Sequence, residues 1–425
     1  MRTLEEVAAS LQGYDPQALR ADTALQFLRS LVTPVTGTET VALKAALGRV
    51  LALDVVSPIN VPAHDNSAMD GYAFRGALLQ ADAPLSLEIA GTAFAGKAWS
   101  GSLGDTQCLK IMTGAVMPEG LDTVVPQELV QASATHITIP AGALRQGDNR
   151  RFKGEDLCQG KPALLAGCTL GPAALGLLAS LNIAQVTVRR PLRVAFFSTG
   201  DEILSLGEAP REGAVYDSNR YTLFGLLTRM GVQVLDMGVV RDDPAALEAA
   251  FTQAAAQADA IITSGGVSVG EADHTKAVMQ HVAGGASGVA FWRIAMRPGR
   301  PMAVGRIGQA LLFGLPGNPV AVMVTFLAFV RPALLQMMGK TEQETPLLKA
   351  HSLEALRKKP GRTEYQRAIV QTGSNGQLQV RTTGQQGSGV LSSMAAANGL
   401  LVLHHDQGNV AAGEEVDVLM FDGVI

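Results

Sequence analysis

Cysteine is scarce in this chain: there are 3 in 425 residues, Cys108, Cys158 and Cys168, an odd number with no C-x-x-C pair among them. That count argues against a disulfide framework or a zinc knuckle and favours a reducing, cytoplasmic setting. Excess charge is missing too. The 34 Lys and Arg stand against 38 Asp and Glu, a formal net charge of −4, which gives no general attraction for nucleic acid or an acidic membrane surface. The expected partner is a small molecule. Long apolar runs are absent as well: the longest, Val320 to Val330, ends at Arg331-Pro332, is too short to span a bilayer and reads as a buried helix. The first residues, Met1-Arg-Thr-Leu-Glu-Glu-Val7, lack the basic segment and apolar core of a secretory signal. No internal repeat or low-complexity linker interrupts the chain.

What is present changes texture along the chain. A length of 425 residues exceeds what one hydrophobic core organises, so several domains are expected. Residues 1–58 carry helical spacing, at Leu25 to Val32 and again at Leu43 to Leu53. Residues 59–158 switch to short β-prone pieces punctuated by Gly and Pro, such as Leu85 to Ala90 and His136 to Pro140. A helical pattern returns at Gly171 to Leu181, so the β-rich module reads as inserted into a helical domain made of 1–58 and 159–185. From 186 to 340, apolar strands at Leu192 to Ser198, Val232 to Val239 and Ala258 to Thr263 alternate with helical segments, one opening at Asp243-Pro244 with a cap and a proline at its first position. That is the alternation of a doubly wound α/β domain. Residues 341–425 hold only short strand candidates, Arg367 to Val370, Leu378 to Arg381 and Gly399 to Leu403, and read as a second small β domain.

In such a sheet, ligands bind beyond the carboxyl ends of the strands. The most informative of those loops is Thr263-Ser-Gly-Gly-Val-Ser-Val-Gly-Glu-Ala-Asp-His-Thr-Lys276. Gly265 and Gly266 let the backbone turn with its N–H groups exposed ahead of a helix, the arrangement of an anion site. Glu271 and Asp273 would repel a lone anion, so a divalent cation is the natural mediator. Three more loops carry unusual polar residues: Ser198-Thr199-Gly200-Asp-Glu202, Arg241-Asp242-Asp243 and Gly314-Leu-Pro316-Gly-Asn-Pro319. Each alone reads as a turn or a cap. Together they make an acidic rim that turn chemistry does not require. A basic strip, Arg293-Ile-Ala-Met-Arg297-Pro-Gly-Arg300, is expected to face that rim and to hold an oxyanion through forked hydrogen bonds. The β-rich module adds three polar clusters, Asp65 to Tyr72, Lys110 to Gly114 and Arg150 to Asp156. His404-His405-Asp406 looks like a metal cluster, but neighbours on a strand point to opposite faces, so surface histidines are expected.

The motifs Asp65-Asn-Ser-Ala-Met-Asp-Gly-Tyr72, Ile111-Met-Thr-Gly114, Gly154-Glu-Asp156, Ser198 to Glu202, Tyr216-Asp-Ser-Asn-Arg220, Arg241 to Pro244, Ser264 to Asp273 and Gly314 to Pro319 run in one order along the whole chain. The set resembles the signature of the MoeA family of molybdopterin molybdenumtransferases, similar to the E domain of gephyrin. The resemblance implies an α/β domain like that of MogA, an inserted β-rich domain, a helical linker domain and a C-terminal small β-barrel. It implies a Mg2+-dependent enzyme that inserts molybdate into adenylylated molybdopterin and releases AMP, as a homodimer with its active site between subunits. Carried over by motif, Asp70, Asp156, Glu202, Asp242 and Asp273 are catalytic, with Glu202, Asp242 and Asp273 holding the metal. Thr113, Ser198, Thr199, Gly200, Ser264, Gly265, Gly266, Pro316, Pro319 and Ser388 bind substrate. Arg293, Arg297 and Arg300 stand where the family commonly has lysines, and an arginine fork is not a lysine point charge. The resemblance also implies contact with a molybdopterin adenylyltransferase and with acceptor molybdoenzymes. Two other readings are an adenylyltransferase of the MogA type, which has no inserted β module, and a non-catalytic carrier or scaffold, which has no need of an acidic rim.

Overall fold

A parallel strand covered on both faces must be apolar at successive positions instead of alternate ones, and Val194 to Phe197 meets that condition. In the computed structural model, which describes residues 2–267, 274–341 and 345–422, this segment lies in a six-stranded sheet. Its strands are β1 (Arg193–Thr199), β2 (Gln233–Val240), β3 (Ala260–Ser264), β4 (Val289–Arg293), β5 (Pro301–Ile307) and β6 (Ala310–Leu315), in the order β2-β1-β3-β6-β5-β4. The first four in that order are parallel, and β5 and β4 extend the sheet antiparallel. Helix α1 (Ser218–Arg229) packs Leu223 and Leu227 against Val194 and Phe196. Helix α2 (Pro244–Gln257) packs Leu247 and Phe251 against Ala195 and Phe197 on the other face, with Phe197 edge-on to Phe251 at 5.2 Å. Asp217 and Asp243 cap the two helices by accepting N–H bonds from Arg220 at 3.1 Å and Ala246 at 2.9 Å. The chain leaves β1 on one side for β2, then returns past it to β3. The ends of β1 and β3 therefore flank a topological switch point.

After β3, helix α3 spans His274–Val282. After β6, helix α4 (Pro319–Thr325) runs through a π-helical turn, Phe326–Val330, into Arg331–Met337. Pro319–Met337 has the length and composition of a membrane span, but 78% of it is buried inside the protein, where it completes the largest core cluster. Beyond it, β7 (Leu348–Ser352), β8 (Thr363–Thr372), β9 (Leu378–Thr382), β10 (Gly399–Leu403) and β11 (Glu415–Met420) pair as β8-β9-β7-β11-β10. The β10–β8 pairing closes them into a five-stranded barrel around Ala368, Val370, Val380, Leu401 and Val418. The same unit takes in the N-terminal helices Leu4–Ser10 and Ala21–Leu31. Phe27 of the second packs edge-on to Trp292 of β4 at 5.0 Å, and Trp292 Nε1 donates to Tyr14 at 3.0 Å.

The chain divides into this unit, Met1–Ala52 with Gly167–Gly171 and Gln185–Ile425, and a second one, Leu53–Ala166 with Pro172–Ala184. The second is built on a six-stranded sheet, Thr123–Pro126, Gly71–Phe74, Gln107–Ile111, Leu85–Ala93, His136–Ile139 and Gln131–Ala132 in that order. Small clusters cover its two faces, one with Ala73, Leu109 and Val124 and partly buried Trp99 beside them, the other with Tyr72, Phe74 and Val125. Cys108 lies in the latter, and burial pushes its thiol up to about 12, which leaves it inert.

One expected helix is not there. Leu43 to Leu53 folds as a single 3-10 turn, Leu43–Ala46, that ends at Gly48 with φ +76°. Val50 and Leu51 then bridge to Thr169 and Val188. Their burial at strand bridges produced a spacing that imitates a helix face.

Candidate functional site

The last paired residues of β1 and β3 are Ser198 and Ser264, and their Oγ atoms lie 3.0 Å apart at the switch point. Ser198 Oγ donates to Asp217 Oδ1 at 2.9 Å. Thr199 brings its carbonyl against Gly265: a Cβ there would sit 2.6 Å from Thr199 O, and φ is +95°. Only glycine fits. Thr275, at the start of α3, lies against Gly266 and donates to Asp242 Oδ1 at 3.1 Å. The Asp242 N–H reaches Asp201 Oδ1 at 3.3 Å. Glu202 folds its carboxylate back over Gly200, where a Cβ would lie 2.5 Å from Oε2. Ser198, Thr199, Gly200, Glu202, Asp242, Ser264, Gly265 and Gly266 are thus gathered on one edge. The Gly265 N–H is already bonded to Leu315 O at 3.1 Å, so the open donors of this loop are fewer than the sequence implies. Glu271 and Asp273 lie outside the described residues. Among the described residues no group of three or more His, Cys, Asp or Glu gathers closely enough to hold a metal ion. The donors that Glu202 and Asp242 offer are hard carboxylate oxygens, the chemistry suited to Mg2+.

The basic strip builds something separate. Arg293, Arg297 and Arg300 line a cavity of about 660 Å³ together with Pro316, Gly317, Asn318, Arg362, Gln386 and Ser388. The Ile294 N–H donates to Arg300 O at 2.7 Å and the Thr363 N–H to Ala295 O at 2.9 Å, which closes the strip into a turn and ties it to the barrel. No Asp or Glu is among the described residues lining this cavity. The arginines were expected to face the acidic rim; among the described residues, none of that rim's acids lines the cavity with them. Four arginines in one lining are matched to an oxyanion.

The cavity also uses residues that sequence reasoning missed. Arg362 comes from the barrel and is held by Glu364, 2% exposed, through Nε at 2.8 Å and Nη2 at 2.7 Å. Arg367 is fully buried and donates to Gln385 O at 3.2 Å, Gln386 O at 3.3 Å, Gly387 O at 2.9 Å and Ser393 Oγ at 2.9 Å. Burial, with Arg297 nearby, draws its pKa below the usual arginine range. The loop that carries Ser388 is therefore shaped from behind by one guanidinium. Ser388 O in turn accepts the Val320 N–H at 3.1 Å, fixing the loop to the start of α4. The one available signal was Arg367 itself, a charged residue inside an apolar strand pattern. Pro319 starts α4 and Pro316 lines the cavity.

In the second unit, Asp70 Oδ1 accepts the Thr113 N–H and Oγ1–H, both at 2.7 Å. Those two bonds hold the Asp70 carboxyl below its ordinary range. The Ser67 N–H donates to Ala115 O at 3.0 Å and the Gly114 N–H to Ser67 O at 2.8 Å, so the first two polar clusters are joined through backbone. Asp65 joins the third by pairing with Arg150 and accepting the Lys153 N–H at 2.7 Å. The Asp156 N–H donates to Val61 O at 3.0 Å. His404 and His405 fall just after β10 in place of lying on it; His404 is exposed and bonds Asp417 at 2.6 Å, and both histidines line a separate cavity.

Comparison with known proteins agrees with this architecture. Residues 19–182 match the MoeA N-terminal region (domain I and II), 195–336 a probable molybdopterin binding domain, and 349–421 the MoeA C-terminal region (domain IV). The molybdopterin molybdenumtransferase of Haemophilus influenzae is 41% identical over 391 residues, covering 92% of this chain and 95% of that protein. The protein of the same name from Nostoc sp. is 36% identical over 419 residues, 96% of this chain and 95% of its own length. Among solved structures, the molybdopterin biosynthesis moeA protein from Pyrococcus horikoshii superposes with a TM-score of 0.80 at 28% identity, over 95% of this chain and 100% of that one. With the α/β sheet, the closed barrel and matches along nearly its whole length, this chain belongs to the MoeA family.

Proposed function

We propose that this chain acts in molybdenum cofactor biosynthesis as a molybdopterin molybdenumtransferase, inserting molybdate into adenylylated molybdopterin with release of AMP. The observation that carries the reading is the cavity lined by Arg293, Arg297, Arg300 and Arg362, with no Asp or Glu among its described lining residues. Molybdate is a dianion, and an arginine-rich wall offsets its charge where an acidic rim would repel it. Ser388 adds polarity to the same wall, and Pro316 and Pro319 fix the turn between it and the sheet. Ser198, Thr199 and Gly200 with Ser264 to Gly266 seat the pterin and its phosphate, the latter through backbone N–H groups. Glu202 and Asp242, with Asp273, would hold Mg2+, which when bound would neutralise phosphate charge and polarise the bond to AMP. Asp70 with Thr113, and Asp156, are contributed across a homodimer by the partner subunit. We place the domains at 1–58 with 159–185, 59–158, 186–340 and 341–425, and the protein in the cytoplasm, where it meets an adenylyltransferase and acceptor molybdoenzymes.

The test is to incubate purified protein with adenylylated molybdopterin, Mg2+ and molybdate, and follow AMP. Release that needs both metal and molybdate supports the transferase. Untouched substrate favours a carrier, and product formed only from ATP and free molybdopterin favours an adenylyltransferase. A stable, fully active monomer on sizing would remove the shared site. Full metal-dependent AMP release by both Glu202→Ala and Asp242→Ala would remove their role as ligands.

A further inference from the structure

At the switch point, Ser198 is 2% exposed, Ser264 is 2% exposed and Asp217 is 3% exposed. A hydroxyl has one proton to give, and a carboxylate oxygen only accepts. Ser198 gives its proton to Asp217 Oδ1 at 2.9 Å, so its 3.0 Å contact with Ser264 is filled by the proton of Ser264. The direction Ser264 to Ser198 to Asp217 follows from that. Asp217 Oδ1 also accepts the Arg220 N–H at 3.1 Å, capping α1, a helix of 12 residues.

The consequence is that Ser264 Oγ has no proton left for a phosphate oxygen and can only accept. Two more acceptors stand at the same helix end. Asp217 Oδ2 and Asn219 Oδ1 are buried and without a hydrogen-bond partner among the described residues. The orientation of the Asn219 amide is set by its Nδ2, which donates to Gly317 O at 2.7 Å, and Gly317 also lines the arginine cavity. A hard divalent cation usually requires several carboxylates, and this cluster has one. Acceptors of this kind, neutral apart from a single acid, suit N–H donors.

We propose that Asp217 is a positioning residue: through Ser198 it holds Ser264 as an acceptor, and Ser264 and Asn219 receive N–H groups of the substrate's nitrogen heterocycle. The oxyanions are left to the arginines and to backbone N–H groups. The assignment rests on the transferase reading, because that reading supplies a pterin as substrate.

The experiment measures equilibrium binding of molybdopterin without the adenylate, and of AMP alone, to the full chain, with and without Mg2+. Ser198→Ala frees the Ser264 proton to point the wrong way, and molybdopterin should bind about tenfold more weakly, the worth of one buried hydrogen bond. Ser198→Thr keeps the relay and should restore binding. Asp217→Asn keeps a good helix cap and an amide oxygen that still accepts from Ser198, so it should bind molybdopterin as the unaltered protein does. AMP affinity should stay within about twofold throughout, since phosphate does not use these side chains. Unchanged molybdopterin binding in Ser198→Ala overturns the proposal, as does an equal loss for AMP, which would mean the loop had simply collapsed. A loss seen only with Mg2+ would assign the acceptors to a cation instead. Should Asp217→Asn fail to fold, the two Ser198 variants decide alone. If the unaltered protein binds no molybdopterin, it is the transferase reading that fails first.

Discussion

The sheet edge at β1 and β3 and the cavity beside the barrel belong to one unit, yet they are built with opposite charge and by different means. The first is assembled from turns: Gly200, Gly265 and Gly266 bring carboxylates and buried hydroxyls together over a few residues at each strand end. The second needs segments far apart in sequence, with Arg293 to Arg300, Pro316 to Asn318, Arg362 and Gln386 to Ser388 meeting around about 660 Å³. No Asp or Glu is among the described residues of that cavity, whereas the sheet edge carries several. An acid and an oxyanion on one wall repel each other, so the two regions suit ligands of opposite charge.

The most damaging way to break the contrast is Arg367→Leu. The loop carbonyls at Gln385, Gln386 and Gly387 lose their buried donor, and a cost of about 4 kcal/mol is expected from acceptors left unpaired. Urea unfolding checks it; a loss below about 1 kcal/mol would mean the loop is held by something else. Next is the pair Arg297→Ala with Arg300→Ala, both exposed in the cavity wall. The kcat/KM for molybdate should fall about a hundredfold, from two charge-assisted bonds at roughly 1.5 kcal/mol each, with unfolding unchanged. Equal loss at saturating molybdate would deny these residues a binding role. On the acidic side, Gly265→Ala meets Thr199 O at 2.6 Å with φ +95°, and a destabilisation of about 2 kcal/mol is expected from strain. Retained stability there would show that the turn relaxes. The smallest effect is expected at Asp70. Its folded pKa lies below the unfolded value because Thr113 donates twice, so the contact stabilises the fold above the unfolded pKa of about 3.9 and is lost as pH falls through the lower folded value. Thr113→Val removes the hydroxyl donor but keeps the N–H, and the Asp70 carboxyl should titrate at higher pH by carbon NMR.

The parts of the fold that local patterning determines were legible. Val194 to Phe197 is apolar on both faces because helices cover both, and Asp243-Pro244 announced α2 by cap chemistry alone. Leu43 to Leu53 misled because bridge residues Val50 and Leu51 fell at helical spacing, while Gly48 gave the turn away only through its φ of +76°. Local patterning showed only short strands after residue 341; the barrel was implied by the family resemblance alone, since its closure between β8 and β10 depends on pairing Glu364 with Leu403 across a long stretch of chain. The site divides the same way. The loops after β1, β2 and β3 could be found from strand ends, whereas Arg362 and Gln386 enter the cavity only by tertiary packing. Asp217 stood in the motif Tyr216 to Arg220, but its hold on Ser198 and Ser264 is not written in any spacing.

Trp292, wedged edge-on to Phe27 and bonded to Tyr14, has a spectroscopic consequence. The chain has 2 tryptophans, and the other, Trp99, belongs to the second unit. Each unit thus carries its own fluorophore. In Trp99→Phe, all tryptophan emission reports on whether the helix Ala21–Leu31 stays docked on β4; in Trp292→Phe, it reports on the β-rich sheet alone. Separate melting curves for two parts of one polypeptide can be recorded without attaching any label.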